Sequence, residues 1–532
     1  MLQCNPLTPK LKCYWNPSLA EQKMVTENNN PSPKTCLMGI DIGAGSLKTM
    51  IIDLHGHVLG TASKDLKTHS PNPRWSEQNP HDWWDAVKET VPKAIKQANI
   101  TASEIAAISF SAGAHTPVLE DKNGALLRPA ILWNDQRSGK ETQELKDKHW
   151  DRILELGFNS PAPTWTLPQF LWLSRNEPEV LQKTKRIYVA KDWLRSRLTG
   201  TWEMDATEAV GTLLFDARKG AWSKELCDLA GCPIEALPPI VKPTDIVGVV
   251  TSKAAKETGL MEGTPVVCGT SDTSIETFGA GSIHAGDGTV KLATAGTVSV
   301  VSKKPNLHKT LINYPVVIPD HWYTISGTNS CASAHRWLRD TFFSSHDGIN
   351  GFDLMDQLAS EIQPGAEGLL FHPYLQGERA PYWDPLLRAD FVGITFRHNR
   401  AHFARALYEG IAFSLKDVLE QFKDQGIEIR SARIIGGGAK SATWRQIVAD
   451  ILGIEIVLSE TTDASFGAAL IAGVGVGIFS DELSAANKCI RVAEKIQPDP
   501  TRVAFYDRLF VMYKAAQAGL KDVNHELSAL IG

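Results

Sequence analysis

The chain has 532 residues, 43% hydrophobic and 22% charged, enough at roughly 100–200 residues per domain for two or more domains with proper cores. Fifty-five Lys and Arg against 60 Asp and Glu leave a net charge of −5, which argues against a surface that coats nucleic acid. Average Gly and Pro usage excludes collagen-like and low-complexity classes, and the longest apolar stretch, Gly467 to Phe479, is too short and glycine-rich to span a bilayer.

Residues 1–36 are polar and proline-dotted, with Asn28-Asn29-Asn30-Pro31-Ser32-Pro33, and are expected to form a disordered or irregular leader; Met24 and Met38 are other candidate starts. No secretory signal is visible. Order is expected from Leu37. Leu37–Ile42 reads as a short buried strand, Gly43-Ala44-Gly45 as a turn and Lys48–Asp53 as the returning strand. His55-Gly56-His57 turns the chain into a third strand. Asn79-Pro80 starts a helix, with Trp83, Val87, Val91 and Ile95 on one face. Ile105–Ser111 is the next strand. Helical segments follow to about Gly200, interrupted by a strand at Arg186–Val189; then come a strand at Val266–Gly269 and a helix start at Ser271-Asp272.

The opening device then recurs. Val290–Ala293 is a strand, Thr294-Ala295-Gly296 a turn and Thr297–Ser302 a returning strand. A long amphipathic helix carries Phe403, Leu407, Ile411, Leu415, Val418 and Phe422. Ile434-Ile435 leads into Gly436-Gly437-Gly438, a helix from Ser441 and the strand Glu455–Leu458. Two α/β halves that each begin with strand, glycine turn and strand predict an internal duplication, divided near Gly281–Gly288.

The first loop superficially matches GxGxxG, but Lys48 stands at the last glycine and a strand follows, so the dinucleotide fingerprint fails. It also lacks P-loop order. A glycine hairpin can still cradle phosphate, and Asp41 can hold Mg²⁺ through water. Alone, the loop favours an ordinary tight hairpin; its duplicate at Thr294–Gly296 gives both more weight. Three glycines at 436–438 admit a flat group such as a purine beside a helix N-terminus. Asp272 is on its own an N-cap candidate; its functional reading is a general base for a substrate hydroxyl, which a loose phosphoryl-transfer transition state asks little of. Ten of the 15 Trp lie between Trp75 and Trp222; sugar sites often use aromatic faces, but most of these are expected in the core. His115 is not singled out by pattern alone. Eight scattered cysteines fit a reducing compartment and no disulfide framework, so the chain is read as cytoplasmic.

Several longer motifs stand in order. They are Trp75-Ser76-Glu77-Gln78, Leu127–Arg137 with Trp133-Asn134-Asp135-Gln136-Arg137, Lys191-Asp192-Trp193-Leu194, Gly377-Glu378-Arg379 with Pro381–Pro385, Ile434–Gly438, and Phe466-Gly467-Ala468-Ala469. With them the chain, from about Leu37 to at least Gly473, resembles the FGGY carbohydrate kinases, most closely their xylulokinase members. The resemblance implies two actin-like (RNase H-like) α/β domains, residues 37–284 on the sugar side and 285–532 on the ATP side, with a cleft between them.

By the same resemblance, Asp272 is the catalytic base and Asp41 the phosphate- and Mg²⁺-side carboxylate. Gly43, Gly45, Lys48, Thr294, Gly296, Gly437, Gly438 and Ala439 meet ATP, and Ala114, His115, Asp272 and Thr273 meet the sugar. The chain departs from the family where Gln-Met-His-Gly reads Gly113-Ala114-His115-Thr116, where Thr273 replaces Asn, and where Ala44 and Ala293 replace Thr and Gly. Exchanging Met for Ala enlarges a pocket, and exchanging amide for hydroxyl changes which sugar hydroxyls find partners. The expected activity is transfer of the γ-phosphoryl group of MgATP to a pentulose such as D-xylulose. Alternatives are another ketose or polyol (ribulose, erythritol or similar) and, from other classes, a non-catalytic actin-like ATP-binding protein or a dinucleotide-dependent oxidoreductase. Beyond a small sugar, no nucleic acid or membrane partner is expected, and a homodimer is left open.

Overall fold

The structure, a computed structural model, describes residues 34–343 and 350–531. The expected leader lies outside the described residues except for its last three, and Cys36 already belongs to the first strand. β1 (Cys36–Ile42) turns through Gly43–Gly45 and returns antiparallel as β2 (Ser46–Asp53), with Asp41 opposite Lys48. β3 (Val58–Asp65) follows on the edge. The Asn79 side chain accepts from the His81 N–H and caps α1 (Pro80–Ala98), which buries Trp83, Val87 and Val91. β4 (Ile105–Ala112), buried along its whole length, runs parallel to β1. After a helical region that ends in the short α2 (Ala206–Gly211), β5 (Ile246–Val249), β6 (Pro265–Val267) and β7 (Thr270–Ser271) complete the sheet. Its order is β5-β6-β4-β1-β2-β3, with β7 against β4. α3 (Asp272–Ala280) leaves directly from β7.

The second sheet repeats the plan. β8 (Asp287–Leu292) and β9 (Gly296–Ser302) form its hairpin, and β10 (Ile312–Pro315) and β11 (Trp322–Gly327) extend it. α4 (Arg400–Asp424) precedes β12 (Ser431–Ile435), which lies parallel to β8. Then follow α5 (Ala442–Leu452), β13 (Glu455–Ser459), α6 (Ala464–Gly475), β14 (Val492–Ile496) and α7 (Pro500–Ile531). The order is β10-β11-β9-β8-β12-β13-β14. In both sheets the hairpin's first strand is central, with its partner on one side and a parallel strand on the other. This is the expected two-domain α/β architecture of the actin-like, ribonuclease H-like class.

Packing crosses between the sheets. α6 lies on β1, where a Cβ on Gly39 would stand 1.9 Å from the Ser465 carbonyl oxygen. Leu37, Ala107 and Val267 share one core with Ala468, Ala469 and Leu470. Burying a Leu side chain such as Leu470 contributes about 1.5–3 kcal/mol. β10 reaches the first half as well: the Asn313 N–H donates to Asn159 Oδ1 (2.7 Å), and Asn159 Nδ2 returns a bond to the Asn313 carbonyl (2.8 Å). Among the described residues all six cysteines are free and buried, and no helix is long and apolar enough to cross a membrane.

Candidate active site

The strand ends and helix starts of both sheets bring a group of charges together. Asp41, at the end of β1, accepts a 2.5 Å bond from Ser111 Oγ on β4. Burial pushes its carboxyl up to about 8, and Asp272, Asp463 and Glu276 push the same way. Asp272 is the first residue of α3; Ser271 holds the N-cap position. Asp272 Oδ1 accepts from the Thr273 N–H (2.6 Å) and from Thr273 Oγ (3.2 Å). Burial raises the Asp272 carboxyl above the usual carboxylate range, while Lys291 and the Thr273 bonds pull it back. One turn further on α3, Glu276 meets Lys291 Nζ at 2.5 Å. Lys48 Nζ meets Asp463, the N-cap of α6, at 2.6 Å.

The two hairpin turns are anchored differently. Gln78 donates to the Ala44 carbonyl (2.7 Å) and accepts from buried Trp83 Nε1 (2.8 Å), tying the first turn to α1. Gly43 is half-buried and Gly45 exposed. In the second turn Thr294 is exposed; its carbonyl accepts from the Cys331 N–H (3.0 Å) and Ser333 Oγ (2.8 Å), and its hydroxyl from Arg336 (3.2 Å). Gly296 is buried. The three glycines at 436–438 have separate reasons. Gly436 sits at φ +89°, and a Cβ on Gly438 would be 2.7 Å from the Trp444 ring. At Gly437 that position is open, so this glycine alone offers a free face; Ala439 behind it is buried.

On the other side of Asp272, a Cβ on Gly113 would lie 3.1 Å from Trp133 Cδ1 and 4.0 Å from Asp272 Oδ2. The next two residues, Ala114 and His115, are half-buried, and His115 has φ +67°. Its Nδ1–H donates to the Gly211 carbonyl (2.5 Å), and the Tyr314 O–H donates to Nε2 (2.6 Å). Burial pushes the imidazole down to about 4, so it is neutral near pH 7. The ring lies 4.3 Å from Trp165, and Trp165 stacks on Tyr314 at 5.7 Å. Both His115 nitrogens are therefore already partnered within the protein, and so is the Thr273 hydroxyl.

Sequence reasoning missed Lys291, Glu276, Asp463, Trp165 and Tyr314. One signal was available: Lys291 precedes Thr294 by three residues, as Lys48 follows Gly45 by three. Nothing local marks Tyr314, which reaches His115 across 199 positions. Among the described residues no three His, Cys, Asp or Glu side chains form a metal cage. Asp41, Asp272, Glu276 and Asp463 nevertheless outnumber Lys48 and Lys291 here. A site where burial and neighbouring carboxyls push Asp41 up to about 8, and without a complete cage, fits a cation such as Mg²⁺, which keeps several waters and is shared with substrate phosphates.

The pattern of a family N-terminal domain, "FGGY family of carbohydrate kinases", matches residues 36–279, and that of its C-terminal domain matches residues 285–476. This chain belongs to the FGGY carbohydrate kinases. As such it is a phosphotransferase with an alcohol group as acceptor. The xylulose kinase of Staphylococcus epidermidis is 35% identical over 501 residues, covering 93% of this chain and 99% of that protein. That of Bacillus subtilis is 34% identical over 496 residues, with the same coverage. The crystal structure of xylulose kinase from Rhodospirillum rubrum, 29% identical, superposes with a TM-score of 0.84 over 92% of this chain and all of that one.

Proposed function

We infer that this FGGY kinase transfers the γ-phosphoryl group of MgATP to a hydroxyl of a pentulose such as D-xylulose; xylulose is the sugar in the names of its relatives. The observation that carries the reading is the neighbourhood of Asp272: its carboxyl acts electrostatically on Asp41 of the first hairpin and is acted on by Lys291 of the second, and Gly113, two residues before His115, would place a Cβ 4.0 Å from its Oδ2. Asp272 accepts the hydroxyl proton as the oxygen attacks phosphorus, and its raised pKa makes it a better base than a free carboxylate. The backbone of Gly43–Gly45 and of Thr294–Gly296, with Lys48, positions the phosphates, and the open face of Gly437, backed by Gly438 and Ala439, takes the adenosine. Asp41 would hold Mg²⁺ through water, and the bound ion supplies charge neutralisation to the phosphoryl oxygens. Neutral His115 fixes the aromatic wall by bonding Gly211 and Tyr314. The buried free thiols fit a reducing, cytoplasmic setting.

A second reading, a kinase for another ketose or for a polyol, is favoured by one observation. The Thr273 hydroxyl donates to Asp272, so this position offers a sugar hydroxyl an acceptor but no donor. A coupled ADP-release screen across ketoses, aldoses and polyols, with ATP and Mg²⁺, separates the two. A dominant response to D-xylulose supports the first reading; a larger response to another ketose or a polyol overturns it. Asp272→Asn should keep the fold and ATP binding while kcat falls by roughly 10²–10⁴-fold. Near-normal turnover in that variant would remove Asp272 from the role of base.

A further inference from the structure

Each glycine hairpin carries a lysine, and each lysine is held by a carboxylate from the opposite half of the chain. Lys48 on β2 is paired with Asp463, and Lys291 on β8 with Glu276. Lys291 stands where the phosphate-side elements meet. In register it lies opposite Thr297 on β9 and beside Ile435 on β12, the residue before Gly436. Val290 and Leu292 are fully buried in the second core, so strand alternation turns Lys291 the other way, toward α3. There Glu276 and Asp272 are one helical turn apart and share a face. The Lys291 side chain is 29% exposed, so a ligand can reach it.

We propose that Lys291 is a further phosphate-binding residue of the transfer step, leaving Glu276 for the γ-phosphoryl group when nucleotide binds. The inference rests on the kinase reading above. Without nucleotide, Glu276 holds the ammonium in an ion pair across the two halves, so its position is fixed before substrate arrives. A triphosphate offers several anionic oxygens where Glu276 offers one carboxylate, and one charge-assisted hydrogen bond replaces another. In the transfer, the bond from the γ-phosphorus to the bridging oxygen of ADP breaks. The bond from the acceptor oxygen to phosphorus forms, and the acceptor proton passes to Asp272. Negative charge is spread over the equatorial oxygens throughout, which is where a preorganised ammonium is most effective.

The competing role is a purely structural tie between the two halves, and nucleotide affinity distinguishes them. Calorimetry with Mg²⁺ would compare ADP with a non-hydrolysable ATP analogue that keeps the γ-phosphate. In Lys291→Met the analogue should bind roughly 10–100-fold more weakly while ADP changes less than about twofold. Lys291→Arg should restore most of the loss, and Glu276→Gln should bind the analogue at least as well as wild type. Equal weakening for both nucleotides, no weakening for the analogue, or a loss in Glu276→Gln matching that in Lys291→Met would overturn the proposal. If the wild-type protein phosphorylates no sugar in the screen, the kinase reading falls, and the nucleotide comparison still decides the place of Lys291.

Discussion

At Gly45 nothing lies within 4 Å of where a side chain would begin, whereas at Gly296 that point is 3.0 Å from both Leu415 Cδ2 and Thr328 Oγ1. The two turns join equivalent strands of equivalent sheets, yet glycine serves opposite ends in them. In the first it leaves space toward solvent, where a ligand can approach. In the second it lets the turn press into the core beneath α4. The anchoring differs in the same sense. The first turn is held by Gln78 and Thr68 on the Ala44 carbonyl and by the Leu66 N–H on the Gly45 carbonyl, and the second by donors from Cys331, Ala332, Ser333 and Arg336, all from or beside one helix start. The connection is the same in both hairpins while the packing differs, and the second turn is the more closely packed.

Alanine at each glycine would break the comparison most sharply. Gly296→Ala forces Leu415, Thr328 and Cys331 aside and should destabilise the protein by about 1–3 kcal/mol. Gly45→Ala meets no neighbour and should stay within about 0.5 kcal/mol of wild type. Urea unfolding of the two variants provides the check. Equal losses would mean that the turns are equally packed in solution.

Gln78→Ala tests the anchoring. It removes the bond to Ala44 and leaves the Trp83 indole N–H, inside the core, without its partner. An unsatisfied buried donor costs about 1–3 kcal/mol, and the loosened turn should raise the KM for ATP more than that for the sugar. An unchanged ATP KM would show that the first turn does not depend on this tie. The wider Trp75–Gln78 motif is structural in the same way: Glu77 pairs with Arg128 and Arg137, and the Ser76 N–H donates to Asp135.

Local chemistry made much of this legible in the sequence. Strand, glycine turn and strand, twice, predicted the duplicated sheets, and Asn79-Pro80 predicted the start of α1, because those signals lie within a few residues of what they specify. The motif resemblance, covering most of the chain, supplied the domain class. What stayed hidden depends on long-range pairing. Asp463 could not be matched with Lys48 without knowing that α6 packs on β1, and three adjacent glycines gave no hint that only Gly437 is open. His115 was legible as a position, but its partners come from residue 211 and from a strand of the second sheet.

That strand marks a further difference between the hairpins. β3, which continues the first, packs on α1, whereas β10 and β11, which continue the second, carry Tyr314 across to His115. Tyr314→Phe removes that bond and should cost about 0.5–1.5 kcal/mol near neutral pH. The pH dependence carries more information. His115 lies near 4 in the folded protein against 6.5 for an ordinary histidine. The unfolded chain therefore takes up a proton that the folded one refuses. Its contribution to stability is complete above about 6.5 and is lost as pH falls toward about 4. A Tyr314 hydroxyl that donates to Nε2 favours the neutral ring, so Phe at this position should raise the folded pKa and end that loss at a higher pH. The stability gap between wild type and variant should then narrow as pH drops from 7 to 5, measured by chemical unfolding at each pH. A gap that stays constant would mean that the hydroxyl does not act as donor to His115, leaving bonds such as those between Asn313 and Asn159 as the polar ties of this strand to the first half.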